Sequence, residues 1–186
     1  MIMIPEEQLT EIRKAFSESA RPLVFFDDDP DGLCSFLQFY KLNIEAKGVI
    51  YKAAGPLDEK FLRKVEEYHP DNIFILDVPE VSQEFLDKAK NVYWLDHHTP
   101  CNRKNVKYYN PMIIEPDNRP ISYWSYRIAE KSLWIAMVGS ISDWFIPEEL
   151  AFDFRKEYPN LLPPEITKPE EALFCSKAGK CSEYRD

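Results

Sequence analysis

The chain has 186 residues, which is enough for one domain with a hydrophobic core but too short for two full domains. Apolar residues make up 45% of it and charged residues 30%, a composition typical of a folded chain and unlike that of a disordered one. The formal net charge of −9 argues against a protein that grips nucleic acid mainly through a basic face. Any contact with nucleic acid must therefore be local or depend on bound cations.

Nothing in the sequence indicates a membrane or secreted protein. No apolar run approaches the roughly 18 to 20 residues that span a bilayer. The first residues, MIMIPEEQLTEIRKAF, lack the basic segment followed by an apolar segment that is typical of a signal peptide. The cysteines form no CxxC pair and resemble no disulfide framework; they are Cys34, Cys101, Cys175 and Cys181. We therefore expect a cytoplasmic protein with reduced thiols and no membrane partner.

Short apolar segments alternate with segments of helical periodicity along most of the chain. The first helix carries Leu9, Ile12 and Phe16 at helical spacing. Strands are predicted at residues 23–26, 48–51, 72–76 and 92–95, with a further candidate at 106–109. The intervening helices begin just after Gly32 and at two capping residues, Asp58 and Ser82. This alternation predicts an α/β fold, a parallel β-sheet flanked by helices on both faces.

The second half of the chain is predicted to be helical and then irregular. After Pro120 the pattern is helical through residue 145, and beyond Tyr158 four prolines interrupt it. We therefore expect one α/β domain at residues 1–158 and a proline-rich linker or tail at residues 159–186 that leads to a further domain.

Three predicted strands end in side chains that can bind a metal ion. The first is followed by Asp27, Asp28, Asp29 and Asp31, the 72–76 strand by Asp77, and the 92–95 strand by the triplet Asp96-His97-His98. The whole chain has three histidines, and two of them stand in this triplet. In parallel sheets the carboxyl ends of the strands meet at one edge, where ligands bind. These side chains are therefore expected to converge.

The chemistry of such a cluster points to a divalent cation. Residues two apart on an extended chain point the same way, so Asp27, Asp29 and Asp31 can converge while Asp28 points elsewhere. Converging carboxylates repel each other unless a proton or a cation relieves the repulsion. A ligand set of carboxylates and imidazole favours Mn²⁺, with Mg²⁺, Co²⁺ or Fe²⁺ as alternatives. It is unlike the thiolate-rich ligand sets of structural zinc sites.

Three other interpretations fit parts of the pattern. DDDPDG matches the start of an EF-hand loop, but Gln38 stands at the twelfth position and a strand precedes the loop. In a haloacid-dehalogenase-like phosphatase Asp27 would be the nucleophile and Asp29 the acid, which leaves the triplet at residues 96–98 unexplained. A solvated acidic loop explains the first segment alone, but not its recurrence at the other strand ends.

Four segments together resemble a known family. FFDDDPDGLCS, ILDVPE, WLDHHTP and MVGSISDWF look like the successive motifs of the DHH phosphoesterase superfamily, in order from about residue 23 to 145. An apolar stretch, Val24-Phe25-Phe26, stands where some branches have a histidine, and Asp27 follows it as in the RecJ-like branch. This departs from the family II inorganic pyrophosphatases. The resemblance implies an α/β catalytic domain that hydrolyses phosphodiesters or phosphoanhydrides with two Mn²⁺ ions.

The resemblance also implies roles for individual residues. One ion would be held by Asp29 and Asp77 with Asp27. The other would be held by Asp31, Asp77, His97 and Asp143, so that Asp77 bridges the two. As catalytic residues, His98 would face the substrate phosphate and Asp96 would orient the histidines. Independently of the resemblance, the charge pattern offers basic candidates for substrate binding, with a solvated charged face as the alternative: Arg103 and Arg119, with Lys104 and Lys107 beside them.

We therefore expect a phosphoesterase that uses two divalent cations, Mn²⁺ in preference to Mg²⁺ or Co²⁺, and acts as an exonuclease or phosphodiesterase on single-stranded or short nucleic acid. Two alternatives stay open: a phosphohydrolase of nucleotides or polyphosphate, and a non-catalytic scaffold in a nucleic-acid-processing complex. The glycine-rich motif of the family's C-terminal substrate-binding domain is absent from the sequence. A missing domain, a homo-oligomer or a protein partner is therefore expected to complete the cleft.

Overall fold

The sheet has five parallel strands. The computed structural model describes residues 4–52, 55–113 and 116–178. The strands run in the order β2-β1-β3-β4-β5, with these bounds: β1 Pro22–Asp27, β2 Lys47–Tyr51, β3 Asn72–Leu76, β4 Val92–Leu95 and β5 Lys107–Tyr109. The predicted α/β fold is confirmed, and the candidate strand at 106–109 is the edge strand β5.

The central strands are apolar on both sides because helices cover both faces of the sheet. Along β1, Val24 and Phe26 point into one hydrophobic cluster, whereas Leu23 and Phe25 point into the other. Eight α-helices are described: α1 Glu6–Ser17, α2 Pro30–Leu42, α3 Leu62–Tyr68, α4 Gln83–Lys88, α5 Ile121–Ala129, α6 Leu133–Ser142, α7 Glu148–Glu157 and α8 Pro169–Ala178. The first cluster is the larger and joins α1, α2, α5, α6 and α7; α3 and α4 cover the opposite face.

Helix α2 begins earlier than predicted. It starts at Pro30, with Asp29 as its cap, so Gly32 lies in its first turn. A Cβ atom on Gly32 would lie 2.5 Å from the carbonyl oxygen of Asp27, so only glycine lets the helix start this close to the end of β1. The segment of residues 27–31, called the acidic turn below, is therefore compact.

The continuous helical pattern predicted after Pro120 is two helices. The break lies at Glu130, whose backbone is left-handed with φ of 51°, and α6 starts at Leu133. The buried Gln38 of α2 holds the connection, since its side chain donates to Ser132 O (2.5 Å) and accepts from Ser132 N (3.1 Å). A periodicity cannot reveal this contact because Gln38 is far away in the sequence.

Part of the segment predicted to be a linker packs on the domain. Leu162 and Ile166 are buried in the larger cluster, and Arg155 of α7 donates to Ile166 O at 2.9 Å. Helix α8 lies against α6. Leu162 and Ile166 thus cover part of the core surface, whereas the domain division at residue 158 and a further domain beyond the tail stay predictions. Cys181 and the rest of the end of the chain lie outside the described residues, and among those described no helix is long and apolar enough to cross a membrane.

Candidate metal centre

The sheet order places the carboxyl ends of β1, β3 and β4 side by side. The chain leaves β1 towards β2 on one side and returns to β3 on the other, so the order reverses between β1 and β3. Such a reversal opens a crevice in which open α/β sheets bind ligands. The acidic turn, Asp77 and the Asp96-His97-His98 triplet all lie at this edge.

Two carboxylates of the acidic turn are partly exposed and bond to their own loop. Asp27 ends β1, and its Oδ1 accepts the Asp28 N–H at 2.9 Å. Asp29 caps α2 by accepting the Gly32 N–H at 2.8 Å. Burial raises the pKa of Asp27. Asp28 is exposed, in agreement with the prediction that it points elsewhere.

Asp31 is buried and well bonded. Its two oxygens accept the backbone N–H groups of Ile121 (2.7 Å) and Ser122 (2.9 Å), the first residues of α5. A carboxylate is favoured there because helix N-termini carry unpaired N–H groups and a partial positive charge. Burial nevertheless raises the pKa of Asp31.

Asp77 is equally buried but lacks such donors. It adopts a left-handed backbone with φ of 59°, a conformation that aspartate tolerates better than most residues. Its Oδ1 has no hydrogen-bond partner, although His97 Nε2 lies 3.3 Å away and His98 Nδ1 4.0 Å away. Burial, followed by the charge of Asp31, raises the pKa of Asp77 well above its usual value. A buried carboxylate oxygen without a donor is rare in proteins, and a bound cation would account for it.

The end of α6 brings Asp143 to the same place. The helix ends at Ser142 and Asp143 caps it, because the N–H of Trp144 bonds to Ile141 O (3.1 Å) and that of Phe145 to Ser140 O (2.9 Å). Asp143 Oδ2 lies 3.7 Å from His97 Nε2. Burial, followed by the charge of Asp31, raises the pKa of Asp143.

His98 is held by the first residue of the triplet. The fully buried Asp96 places Oδ1 2.8 Å from His98 Nδ1, and this hydrogen bond raises the pKa of the imidazole. The other oxygen, Oδ2, has Tyr108 Oη and Asn110 Nδ2 as donors, each at 3.2 Å. Because Nδ1 is occupied, Nε2 is the ring nitrogen of His98 that remains for a ligand.

Among the residues that the structure describes, two groups of side chains have their ligand atoms within 4.8 Å of one another: Asp31, His97 and Asp143, and Asp77, His97 and His98. The four residues that the resemblance assigns to one ion are divided between these two groups, which share His97. Neither group contains Asp27 or Asp29, although the charge of Asp29 contributes to the raised pKa of Asp77. The mixed carboxylate and imidazole donors, together with the unpartnered oxygen of Asp77, fit a divalent cation that accepts both oxygen and nitrogen ligands.

Both predicted substrate-binding arginines are bonded to the protein itself. Arg103 donates to Val81 O at 2.7 Å and pairs with Glu80 at 3.3 Å. Arg119 pairs with Asp117 at 2.7 Å and with Glu149 at 3.2 Å. A cavity of about 570 Å³ opens beside His98, and neither arginine is among its described lining residues, which are Tyr51, Gly55, Pro79, Glu80, His98, Thr99, Pro100 and Cys101.

Sequence reasoning missed Tyr108 and Asn110, the donors to Asp96. A signal for Asn110 was present, because it follows the predicted strand at 106–109 as the other site residues follow theirs. No spacing or motif in the sequence indicated that it would lie against Asp96.

Comparisons with known proteins identify the fold. No protein-family model matches the chain, and curated proteins give no significant match. Among solved structures, manganese-bound exonuclease RecJ has a TM-score of 0.57 at 14% identity, covering 76% of this chain and 43% of that one. RecJ with Mn²⁺ from Thermus thermophilus gives 0.56 at 17% identity, covering 76% and 24%. CDC45 from Entamoeba histolytica gives 0.52 at 16%, covering 84% and 37%.

This chain therefore spans less than half the length of each of these structures. At such low identities the likeness concerns the fold and not the individual motifs. The conclusion is that this chain has the α/β fold seen in RecJ and CDC45.

Proposed function

We propose that the protein is a phosphoesterase that holds two divalent cations, preferably Mn²⁺, and cleaves phosphodiester bonds in single-stranded or short nucleic acid. The observation that carries this proposal is the buried, unpartnered oxygen of Asp77, which lies within 3.3 Å of His97 and among further carboxylates. Fold likeness to manganese-bound RecJ supports it.

The proposed roles are those that the sequence resemblance implies, and the closeness of Asp31, His97 and Asp143 supports them for one of the cations. Asp31, Asp77, His97 and Asp143 would hold one cation, and Asp27 and Asp29 would join Asp77 at the other. Such a pair of cations lowers the pKa of a bound water and neutralises charge on the phosphoryl oxygens. His98, oriented by Asp96, would direct Nε2 towards a phosphate oxygen.

The acidic composition is compatible with an anionic substrate. The six proposed ligands are five aspartates and one neutral imidazole, so they carry five negative charges. Two divalent cations offset four of these, and the phosphate then meets the cations and not the carboxylates. Binding of nucleic acid at this site needs no basic face.

Two alternatives share the same fold. A phosphohydrolase of nucleotides or polyphosphate would use the same cations on smaller substrates. A non-catalytic scaffold is also compatible with the fold, because likeness to RecJ and CDC45 does not by itself establish an activity. The convergence of acidic and imidazole groups favours the enzymes. We also propose that a further domain, a second copy or a partner completes the cleft, since the chain spans only part of its structural relatives.

Metal binding and substrate preference test the proposal together. Calorimetric titration with Mn²⁺ should show about two ions per chain, and the loaded protein should shorten labelled single-stranded DNA or RNA faster than it hydrolyses nucleotides or pyrophosphate. Preference for the small substrates would support the second enzyme. Absence of stoichiometric Mn²⁺ binding would indicate the scaffold.

A further inference from the structure

We propose that Tyr108 and Asn110 are positioning residues, which lock Asp96 and thereby decide which ring nitrogen of His98 faces the substrate. The kinetic part of this inference rests on the proposed function, whereas its spectroscopic part does not.

Asn110 has a defined orientation. Its Oδ1 accepts the backbone N–H of Met112 at 2.9 Å, and an N–H can only donate, so the amide oxygen must face Met112. The two N–H groups of the amide then share three acceptors: His98 O at 2.9 Å, Tyr108 Oη at 2.9 Å and, farther away, Asp96 Oδ2 at 3.2 Å. Asn110 therefore contacts both the backbone of His98 and the carboxylate that holds its ring.

Tyr108 is the second residue that restrains Asp96. Its hydroxyl donates to Asp96 Oδ2 at 3.2 Å, and the same oxygen also receives an amide N–H of Asn110 that is shared with other acceptors. A turn of the carboxylate would lose both contacts. Oδ1 is thereby directed at His98 Nδ1, 2.8 Å away. An ionised carboxylate only accepts hydrogen bonds, so Nδ1 carries the proton of the neutral ring and Nε2 carries the lone pair.

Burial makes this network effective. Asp96 is 0% exposed and Asn110 4% exposed, so water does not compete for their hydrogen bonds. Without Asn110 and the hydroxyl of Tyr108, Asp96 Oδ2 would lack both donors, and the His98 ring could adopt either tautomer or rotate. Because His98 lines the cavity beside the candidate metal centre, its tautomer determines what it offers a substrate.

The chain supplies a matched pair of variants. The ring of Tyr108 stacks on Trp94 with centroids 4.2 Å apart, and Tyr108→Phe keeps this packing while removing one oxygen. Tyr109 is its neighbour on β5, and its hydroxyl contacts Glu11 of α1 at 3.0 Å. Tyr109→Phe therefore removes the same atom from the same strand without touching Asp96.

The first test measures the tautomer directly. Long-range ¹H–¹⁵N spectra, recorded with Mg²⁺ at a pH where imidazole is neutral, should show a protonated Nδ1 on His98. The chain has only three histidines, and a His98→Gln spectrum assigns the signal. Asn110→Ala should convert the signal to a tautomer mixture, Tyr108→Phe should do so in part, and Tyr109→Phe should not. An unchanged tautomer in folded Tyr108→Phe and Asn110→Ala would overturn the proposal. Should Asn110→Ala not fold, Tyr108→Phe decides it.

The second test measures turnover of a phosphodiester. Asn110→Ala should lower kcat about 10-fold or more and Tyr108→Phe several-fold, the range typical of residues that orient an active-site histidine. KM, Mn²⁺ stoichiometry and the Tyr109→Phe control should stay near wild type. Equal losses in the two Phe variants would contradict a positioning role. An inactive wild-type chain with the predicted tautomer change would count against the proposed function alone.

Discussion

Asp31 and Asp77 are each 1% exposed, yet their surroundings differ completely. The start of α5 supplies two backbone N–H groups to Asp31, whereas one oxygen of Asp77 has no hydrogen-bond partner. The fold therefore accounts for the burial of Asp31, but not for that of Asp77. Burial alone thus does not mark a functional carboxylate; the lack of a hydrogen-bond donor marks it more sharply.

The difference predicts opposite effects on stability in the absence of metal. Removing the charge of Asp77 relieves an uncompensated buried group, whereas altering Asp31 breaks bonds that hold α5. Both changes should impair catalysis, because both residues are proposed to hold a cation. Stability measured in a chelator therefore separates two residues that activity alone cannot.

The largest effect is expected from Asp77→Asn. Loss of the bridging carboxylate should lower phosphodiesterase turnover by about three orders of magnitude. The free energy of unfolding of the metal-free protein should rise by about 1–2 kcal/mol at pH 8. Asparagine also suits the left-handed backbone at this position. Turnover assays and chemical denaturation in EDTA measure the two quantities. Asp28→Asn, at an exposed position of the acidic turn, is the control. Near-normal turnover of Asp77→Asn would refute the bridging role.

Asp31→Asn should lose stability instead. One of the two acceptors becomes an amide NH₂ that cannot accept the N–H of Ile121 or Ser122, at a cost of about 1–2 kcal/mol. Denaturation in EDTA at the same pH gives the direct comparison with Asp77→Asn. A gain of stability in both variants would show that the bonds to α5 do not compensate for the buried charge.

The stability of the metal-free protein should depend on pH because several carboxylates lie close together at the candidate metal centre. Asp27, Asp31, Asp77 and Asp143 all have pKa values raised in the folded state. Their contribution to stability is fully present below the unfolded pKa of about 4 and is lost as the pH rises through the folded values. The melting temperature in EDTA should therefore fall by several degrees from pH 5 towards pH 8.

Bound Mn²⁺ should reverse this trend, because the cation favours the ionised carboxylates. Differential scanning fluorimetry should show a larger rise of the melting temperature with Mn²⁺ at pH 7.5 than at pH 5.5. In Asp77→Asn both the fall in EDTA and the rise with metal should be smaller. A rise with Mn²⁺ that does not depend on pH would place the ion away from these groups.

The smallest effect on activity is expected from substitution of Arg103. Like Asp31, this residue already has hydrogen-bond partners within the protein. Its guanidinium is bonded to Val81 O and Glu80, so Arg103→Ala should change KM for an oligonucleotide by no more than about two-fold. Lys64→Ala on α3, where the lysine pairs with Glu67, is the control. A rise of KM confined to Arg103→Ala would restore this arginine as a substrate-binding residue.

What could be predicted from the sequence depended on local signals. The alternation of apolar segments located the strands, and the rule that strand ends meet at one edge gathered Asp31, Asp77 and His97 into a single site. The predicted roles of these residues remain to be tested, whereas the α/β fold that positions them is confirmed.

The contacts that the sequence did not predict join distant segments. The N–H donors to Asp31 come from α5, 90 and 91 positions along the chain. The break at Glu130 involves Gln38, and the core positions of Leu162 and Ile166 depend on surfaces formed by earlier helices. None of these contacts leaves a periodicity or a spacing that a single sequence can show.

Gly32 has no side chain, yet it determines the geometry of the acidic turn. Any side chain there would meet the backbone of Asp27 at 2.5 Å and would push the start of α2 away from β1. Asp29 and Asp31 flank α2's first residue and would move with it. In a saturation mutagenesis screen this position should therefore tolerate substitution as poorly as the aspartates around it. The set of residues tolerated at position 32 would then show how strictly the positions of Asp29 and Asp31 are constrained.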